Sequence, residues 1–209
     1  MILAVLASDS QKEEMANSAF FQKYETVFSE NHSLWPNHSA DAFIDLSNET
    51  SAARTQALAA LHPKPVLINS VSDTLDRLHS NFIRINGWPG FLKGNLLEAA
   101  GSVTSRQAAE KVFGADVVFV KDEPGFVSAR IVAMIINEAF FTWESGVSSK
   151  AEIDQAMKLG TGYPYGPFEW CELIGIRNVS RLLQRLSEKD KLYELAENLK
   201  ADQPDRSAL

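Results

Sequence analysis

The chain offers few side chains whose type and spacing suit chemistry. Its histidines are scattered, at His32, His38, His62 and His79, and its single cysteine, Cys171, lies in an apolar stretch. No CxxC or HExxH spacing occurs, so the sequence predicts no metal site and no intramolecular disulfide.

One short stretch is better suited to holding a ligand. Asn86 precedes Gly87-Trp88-Pro89-Gly90, and glycines permit unusual backbone geometry and a close approach to a bound molecule. The amide of Asn86 can donate and accept hydrogen bonds, but it has no nitrogen that titrates near neutral pH. Asn86 is therefore a candidate for binding and not for acting as a base. A structural turn is the alternative interpretation.

Composition and charge are those of an ordinary globular protein. Of 209 residues, 45% are hydrophobic and 22% are charged, which permits a substantial core. The net charge of -7 argues against nonspecific binding to nucleic acid or to an anionic membrane. The apolar start, MILAVLA, lacks the basic residues of a signal peptide, and no apolar run reaches the ~18 to 20 residues of a membrane span. We therefore expect a cytoplasmic protein.

The first part of the chain predicts a parallel sheet. Short apolar runs read as strands at 2–7, 40–47, 64–71, 81–86 and 116–121, and helix-like stretches alternate with them. Such alternation is typical of βαβ units. Hydroxyl and carboxylate side chains mark the expected helix starts, and the candidate N-caps are Asp9 or Ser10, Thr50, Ser72, and Thr104 or Ser105.

After Lys121 the sequence predicts only helices. The helix within EPGFVSARIVAMIINEAFF, residues 123–141, is apolar on more than one face, so we expect it to be buried nearly all round. Further helices are expected at 148–160, 166–176 and 178–200, the last broken near Asp190. A unit of roughly 85 residues is marginal for burying such a helix alone, so we predict a homodimer formed through helices of 121–200.

The segment 117–170 carries a set of residues with family-like spacing: Lys121-Asp122, Pro124-Gly125-Phe126, Arg130, Asn137-Glu138-Ala139, Gly146, Ile153-Asp154, Ala156-Met157, Gly160, Gly162-Tyr163-Pro164 and Gly166-Pro167-Phe168-Glu169. On these residues the segment resembles the 3-hydroxyacyl-CoA dehydrogenase family of fatty acid metabolism. Upstream, residues 81–100 look like that family's strand and loop around its catalytic histidine.

The resemblance implies a Rossmann domain that binds NAD, followed by a helical domain that dimerises and helps to close the active site. It also implies oxidation of a 3-hydroxyl on an acyl-CoA. In that reaction a hydride passes from C3 to the nicotinamide, a histidine takes the hydroxyl proton, and a carboxylate orients the histidine.

The catalytic residues of the family carry over only in part. Asn86 matches the histidine, and Glu98 matches the carboxylate. Ala129 stands where the family has an asparagine, and Val71-Ser72 matches a pair of serines. On the resemblance, Glu98, Asn86 and Ser72 occupy catalytic positions that we expect to be vestigial. A solvated Glu98 and an N-cap Ser72 are the alternatives.

The cofactor loop departs further from the family. A dinucleotide fold needs Gly-x-Gly-x-x-Gly after its first strand, but this turn reads ASDSQKEEM at 7–15, and no glycine precedes Gly87. Glu13 and Glu14 would repel a pyrophosphate. No clear second strand ending in an acidic residue follows, and the segment before 40–47 is shorter than in the family. We therefore expect no cofactor, although the family uses NAD.

These observations predict a truncated Rossmann-like domain over 1–120, an all-helical dimerisation domain over 121–200 and a frayed tail over 201–209. The leading hypothesis is a binding or regulatory homologue with lost or severely weakened NAD-dependent catalysis, which could still bind an acyl-CoA-like molecule. The alternative is an active NAD-dependent dehydrogenase with a rearranged cofactor loop and another base, such as His79. A structural subunit of a larger complex is a third possibility.

Overall fold

The structure, a computed structural model, describes residues 1–31, 35, 39–47 and 51–200. The chain divides into two compact units, Met1–Val127 and the part from Ser128 onward. His32, His38, the candidate cap Thr50 and the predicted frayed tail lie outside the described residues.

Among the described residues, the first unit is built on one mixed sheet of seven strands. In chain order these are β1 (Ile2–Leu6), β2 (Glu25–Phe28), β3 (Ala42–Asp45), β4 (Val66–Asn69), β5 (Phe82–Ile85), β6 (Leu97–Gly101) and β7 (Val117–Phe119). Their spatial order is β2-β1-β3-β4-β5-β6-β7. Every neighbouring pair is parallel except β5 and β6, which are antiparallel.

This arrangement is a reduced Rossmann-like sheet, as predicted. The usual doubly wound order places a third strand beyond the second, whereas here β2 is the edge strand among the described residues. The short segment before β3 accounts for the difference, because the chain returns from β2 to the other side of β1 without the residues needed for another βα unit.

The helices of this unit are α1 (Asp9–Ala16), α2 (Ala52–Ala59) and α3 (Val103–Phe113), with short 3-10 turns at Phe21–Lys23, Leu75–Arg77 and Gly114–Asp116. Successive side chains of a strand point to opposite faces of the sheet. Accordingly, Leu3 and Val5 belong to one apolar cluster, whereas Ala4 belongs to the other.

Several local predictions need correction. Strands β2 and β6 were not predicted, and the helix starts are capped by Ser8, Ser51 and Ser102, one to three residues from the predicted caps. Ser72 is not an N-cap, because the turn Leu75–Arg77 begins after Thr74. The expected helix around it shortens to that single 3-10 turn, which matches a segment too short to propagate an α-helix.

The second unit is helical, as predicted. It contains α4 (Ser128–Glu144), α5 (Lys150–Thr161), α6 (Pro167–Ile174), α7 (Ile176–Ser187) and α8 (Glu197–Lys200), with a 3-10 turn at Lys191–Tyr193. The break near Asp190 is confirmed, since Asp190 accepts a hydrogen bond from the backbone of Leu192 and caps that turn.

The long helix α4 is not buried all round within one chain. Its inner face carries Ala133, Ile136 and Phe140, which are almost inaccessible to solvent. On its outer face, Ile131 is 51% exposed and Phe141 is 40% exposed. The prediction of complete burial is therefore wrong for the isolated chain, because an apolar strip of α4 remains in contact with solvent.

Candidate functional site

The topology of the sheet singles out the carboxyl ends of β1 and β3. The chain leaves β1 to form β2 on one side and later returns to form β3 on the other side. In open α/β sheets, ligands bind in the crevice outside the carboxyl ends of strands at such a reversal. The residues that follow β1 and β3 therefore decide what this fold can bind.

The helix that follows β1 begins with a side-chain cap on the amide of Gln11. The hydroxyl of Ser8 accepts from the backbone N–H of Gln11 at 3.3 Å, and Oε1 of Gln11 accepts from the backbone N–H of Ser8 at 2.9 Å. This is a capping box. In a dinucleotide fold, amides at this helix start face the pyrophosphate instead.

The side chain of Gln11 also spans the crevice. Its Nε2 donates to the carbonyl oxygen of Leu46, just after β3, at 3.1 Å, and to that of Gly87, just after β5, at 3.4 Å. The residue is only 7% exposed. Because an amide nitrogen has two protons, both are directed at backbone groups, so the glutamine ties α1 to the ends of two strands.

A second residue of α1 strengthens this connection. Glu14 is 6% exposed, and both of its carboxylate oxygens accept from the backbone N–H of Gly90, at 2.7 and 2.8 Å. Gly90 adopts a φ of 90°, which a residue with a side chain rarely adopts. The loop after β5 is thus held against the helix that follows β1.

Close packing at Gly87 completes the arrangement. Its N–H donates to Oδ1 of Asn69 at 3.1 Å, and Nδ2 of Asn69 donates to the carbonyl oxygen of Leu46 at 3.4 Å. A Cβ on Gly87 would lie 2.9 Å from side-chain atoms of both Asn69 and Leu46. We name Gln11, Glu14, Leu46, Asn69, Gly87 and Gly90 the crevice bridge.

The two sequence-predicted residues Asn86 and Glu98 are brought together. They lie opposite each other where β5 and β6 pair, and the backbone N–H of Asn86 donates to the carbonyl oxygen of Glu98 at 3.2 Å. Oδ1 of Asn86 accepts from the N–H of Trp88 at 3.4 Å, which fits the predicted turn. Oε1 of half-buried Glu98 accepts from the N–H of Val127 at 3.2 Å.

The third predicted residue, Ser72, lies on the loop after β4, and a residue that sequence reasoning missed holds this loop. Arg84, in the centre of β5, is fully buried. Its guanidinium donates to the carbonyl oxygens of Ser70 at 3.0 Å and Val71 at 3.1 Å, and it forms an ion pair with Asp122. An arginine within the apolar run NFIRIN was the available signal.

The environment of Arg84 also explains its charge state. Burial lowers the pKa of the guanidinium, while the carboxylate of Asp122 opposes this effect. The ring of Phe126 lies 4.7 Å from the guanidinium carbon, which adds a cation–π contact. Arginine remains protonated in proteins, so this is a permanent buried cation.

His79 and Asn86 lie at opposite ends of strand β5. His79 precedes β5, whereas Asn86 follows the last residue of that strand. Nδ1 of His79 accepts from the N–H of Asn81 at 3.3 Å, and its ring contacts Phe82 at a centroid distance of 5.4 Å. At ~3.3 Å per residue, the strand alone separates the two ends by more than 10 Å.

One statement about the cofactor loop needs correction. A second strand, β2, does follow α1, and Glu30 lies two residues beyond its end and is exposed. In dinucleotide folds an acidic residue after the second strand binds the ribose. β2 escaped prediction because it is a four-residue edge strand that begins with Glu25.

Within the described residues, no three histidine, cysteine, aspartate or glutamate side chains are grouped so that they could hold a metal ion. A helix long and apolar enough to cross a bilayer is also missing from this part of the chain.

Comparison with known proteins agrees with this fold. The model of the 3-hydroxyacyl-CoA dehydrogenase C-terminal domain matches residues 125–203. Over 144 residues, or 66% of this chain, it is 34% identical to the 3-hydroxyadipyl-CoA dehydrogenase of Escherichia coli. Over 80 residues it is 40% identical to the human mitochondrial hydroxyacyl-coenzyme A dehydrogenase. Residues 125–203 therefore carry the C-terminal domain of the 3-hydroxyacyl-CoA dehydrogenase family, and the chain is a relative of these dehydrogenases.

The matched length is partial for the curated relatives. The match spans 26% of the Escherichia coli protein and 26% of the human one. Among solved structures, the (S)-3-hydroxybutyryl-CoA dehydrogenase of Ralstonia eutropha superposes with a TM-score of 0.67, covering 96% of this chain and 92% of that one at 19% identity. Such a likeness shows a common fold.

Proposed function

We propose that this protein is a 3-hydroxyacyl-CoA dehydrogenase homologue with lost or severely weakened NAD binding and catalysis, acting as a binding or regulatory protein. The observation that carries the proposal is the side chain of Gln11, which spans from α1 to the carbonyl oxygens of Leu46 and Gly87. This is the place where a dinucleotide crosses the sheet in other members of this fold class.

The residues after β1 do not fit a pyrophosphate. The first-turn amide of Gln11 already has the Ser8 hydroxyl as its partner. No glycine lies in this turn to allow a close approach. In addition, the carboxylate of Glu14 is buried on the crevice side of α1 and bound to Gly90, so a phosphate entering here would meet a negative charge. Binding would require several buried hydrogen bonds to break.

The base position supports the same conclusion. Asn86 matches the family histidine, and an amide cannot take up the hydroxyl proton at neutral pH. General-base catalysis contributes ~10²–10⁴-fold to rate, so this change alone would reduce turnover severely. Ala129, at the asparagine position, is buried in α4 and offers no hydrogen bond to a substrate oxygen.

The alternative of an active dehydrogenase has one observation in its favour and one against it. Glu30 lies after β2, where a ribose-binding acid is expected. His79, its proposed base, lies at the amino end of β5 and not at the end that carries Asn86. The proposed base of this alternative is therefore not near Glu98.

Two partner assignments belong to this proposal. We propose that the protein forms a homodimer through its helical unit, because α4 leaves Ile131 and Phe141 exposed on one chain, and apolar strips of this kind are typical of subunit contacts. We also propose that any ligand is an acyl-CoA-like molecule bound beside Asn86 and Glu98, and neither nucleic acid nor membrane.

An assay for NADH oxidation with acetoacetyl-CoA tests the proposal, together with a calorimetric titration of NAD. We expect no turnover above the buffer rate and no binding heat at millimolar NAD. Turnover that Glu98→Gln abolishes would overturn the proposal, as would saturable NAD binding. The Asn86→His variant is the companion test, and we expect it to remain inactive because the cofactor crevice is still bridged.

A further inference from the structure

The first unit has a cavity at the amino ends of its strands, whereas the crevice bridge lies at their carboxyl ends. The cavity lies at the amino ends of β4 and β5, where Pro65 and Asn81 contribute to its wall, and one face of α3 closes it with Thr104, Gln107 and Lys111. Its volume is about 520 Å³, within the range of small-molecule sites. Neither the family resemblance nor the proposed function involves this cavity.

Its charged groups converge from separate elements. Lys64 comes from the segment before β4, whereas Lys111 comes from the last turn of α3. The acidic group in the lining is Asp41, whose Oδ2 accepts from the backbone N–H of Ile2 at 2.8 Å. Two lysines and one engaged aspartate therefore line the cavity, which gives it a positive net charge on a chain whose net charge is -7.

The lysine ammonium groups retain donors for a ligand. Nζ of Lys64 donates to the carbonyl oxygen of Ala40 at 2.7 Å, which uses one of its three protons. For Lys111, the described residues offer neither an ion pair nor a hydrogen bond to the side chain. Lysine is a compact point charge that suits anionic oxygens. Thr104, Gln107 and Asn81 add neutral hydrogen-bonding groups around these two cations.

We propose that this cavity is a binding site for a small anionic molecule that carries phosphate or carboxylate groups, held by Lys64 and Lys111. The two lysines neutralise its charge, and the polar groups of α3 and Asn81 bind the rest of the molecule. The site is separate from the crevice bridge, so it operates whether or not the crevice binds an acyl-CoA-like molecule.

The test uses the full chain labelled with 15N, titrated with inorganic pyrophosphate and, separately, with citrate at constant ionic strength. We expect saturable shifts of the amides of Thr104, Gln107 and Lys111 with at least one of these probes. Pyrophosphate alone would identify a phosphate ligand, and citrate alone a carboxylate ligand. Lys111→Gln should weaken binding by about tenfold or more, as expected for loss of a charge-assisted contact.

Two matched variants keep the test decisive. Lys111→Arg retains the positive charge and should bind within a few-fold of the unaltered chain. Lys191→Gln removes an exposed lysine of the other unit and should leave binding unchanged. Absence of saturable shifts with both probes would overturn the proposal, and so would a Lys111→Gln variant, folded by its spectrum, that binds as tightly as Lys191→Gln.

Discussion

Both carboxylate oxygens of Glu14 accept from one backbone N–H, that of Gly90, at 2.7 and 2.8 Å. The two residues are 76 positions apart in sequence, and the contact connects the helix after β1 to the loop after β5. It therefore constrains both sides of the crevice in which this fold class binds ligands.

Replacing Glu14 with glutamine tests how much this contact stabilises the first unit. Glutamine has nearly the same shape but loses the charge and one acceptor oxygen, so the bond to Gly90 weakens. We expect the free energy of unfolding to fall by about 1–3 kcal/mol, as for the loss of a buried charged hydrogen bond. Urea denaturation measures the change. The exposed neighbour Glu13→Gln is the control and should stay within about 0.5 kcal/mol.

Replacing Arg84 should lower the free energy of unfolding by more than replacing Glu14. Arg84→Met keeps much of the side-chain volume but leaves the carbonyl oxygens of Ser70 and Val71 and the carboxylate of Asp122 without their cation. Removing one partner of a buried pair costs ~3–5 kcal/mol, and we expect about 3 because Asp122 is partly exposed. Urea denaturation again gives the value. An equal loss in Arg77→Met, on the surface, would contradict the prediction.

The strands of the sheet differ in how well the sequence predicts them. Strands such as β1 and β4 were predictable because a short apolar run bounded by polar residues favours a buried strand. β6 was missed because its sequence, Leu97–Gly101, contains Glu98 and two alanines with low strand propensity, and its pairing with β5 depends on tertiary contacts.

The residues of the candidate site were also predictable only in part. The position of Asn86 opposite Glu98 could be anticipated from the resemblance. Gln11 could not be identified, because its partners Leu46 and Gly87 are 35 and 76 residues away. A polar residue in the first turn of a helix indicates a cap and nothing more. Only the arrangement of strand ends reveals that its side chain crosses the crevice.

In the helical unit, Gly166 is predicted to tolerate no side chain. The backbone N–H of Phe168 donates to Oδ1 of Asp154 at 2.8 Å, and a Cβ on Gly166 would collide with that carboxylate. We expect Gly166→Ala to lower stability by about 1–3 kcal/mol through overpacking. Gly160→Ala is the matched control: its Cβ would meet nothing within 4 Å in α5, so it should stabilise by up to about 1 kcal/mol.

The start of α5 predicts an acid-sensitive contribution to stability. The carboxylate of Glu152 accepts from the hydroxyls of Ser149 and Ser148 and from the N–H of Ser149, and these bonds lower its pKa to about 2. Because the folded pKa lies below the ordinary glutamate value of 4.5, the contribution to stability is present above that pH and is lost as the pH falls towards 2.

A carboxyl-detected NMR titration of the folded protein measures this pKa directly. Ser149→Ala removes the Ser149 hydroxyl that donates to Glu152, so the pKa of Glu152 should rise towards its ordinary value. Comparing the thermal midpoints of the unaltered chain and Glu152→Gln between pH 6 and pH 3 gives the stability effect. Their difference should shrink as the pH falls, and a constant difference would contradict the assignment.

We expect Tyr24 to contribute to stability in a way that is lost at high pH. Its hydroxyl donates to Oδ2 of Asp116 at 3.4 Å, and burial, followed by the charge of Asp116, raises its pKa to about 12. The folded pKa exceeds the usual value near 10, so the neutral phenol is favoured in the folded state. The contribution to stability is complete below about pH 10 and is lost as the pH rises through 12.

Ultraviolet absorbance at alkaline pH, taken as the difference between the unaltered chain and Tyr24→Phe, should yield one phenol that ionises late. Asp116→Asn removes the neighbouring charge and should lower that pKa, while a Tyr24 that ionises near pH 10 in the unaltered chain would contradict the burial of this pair.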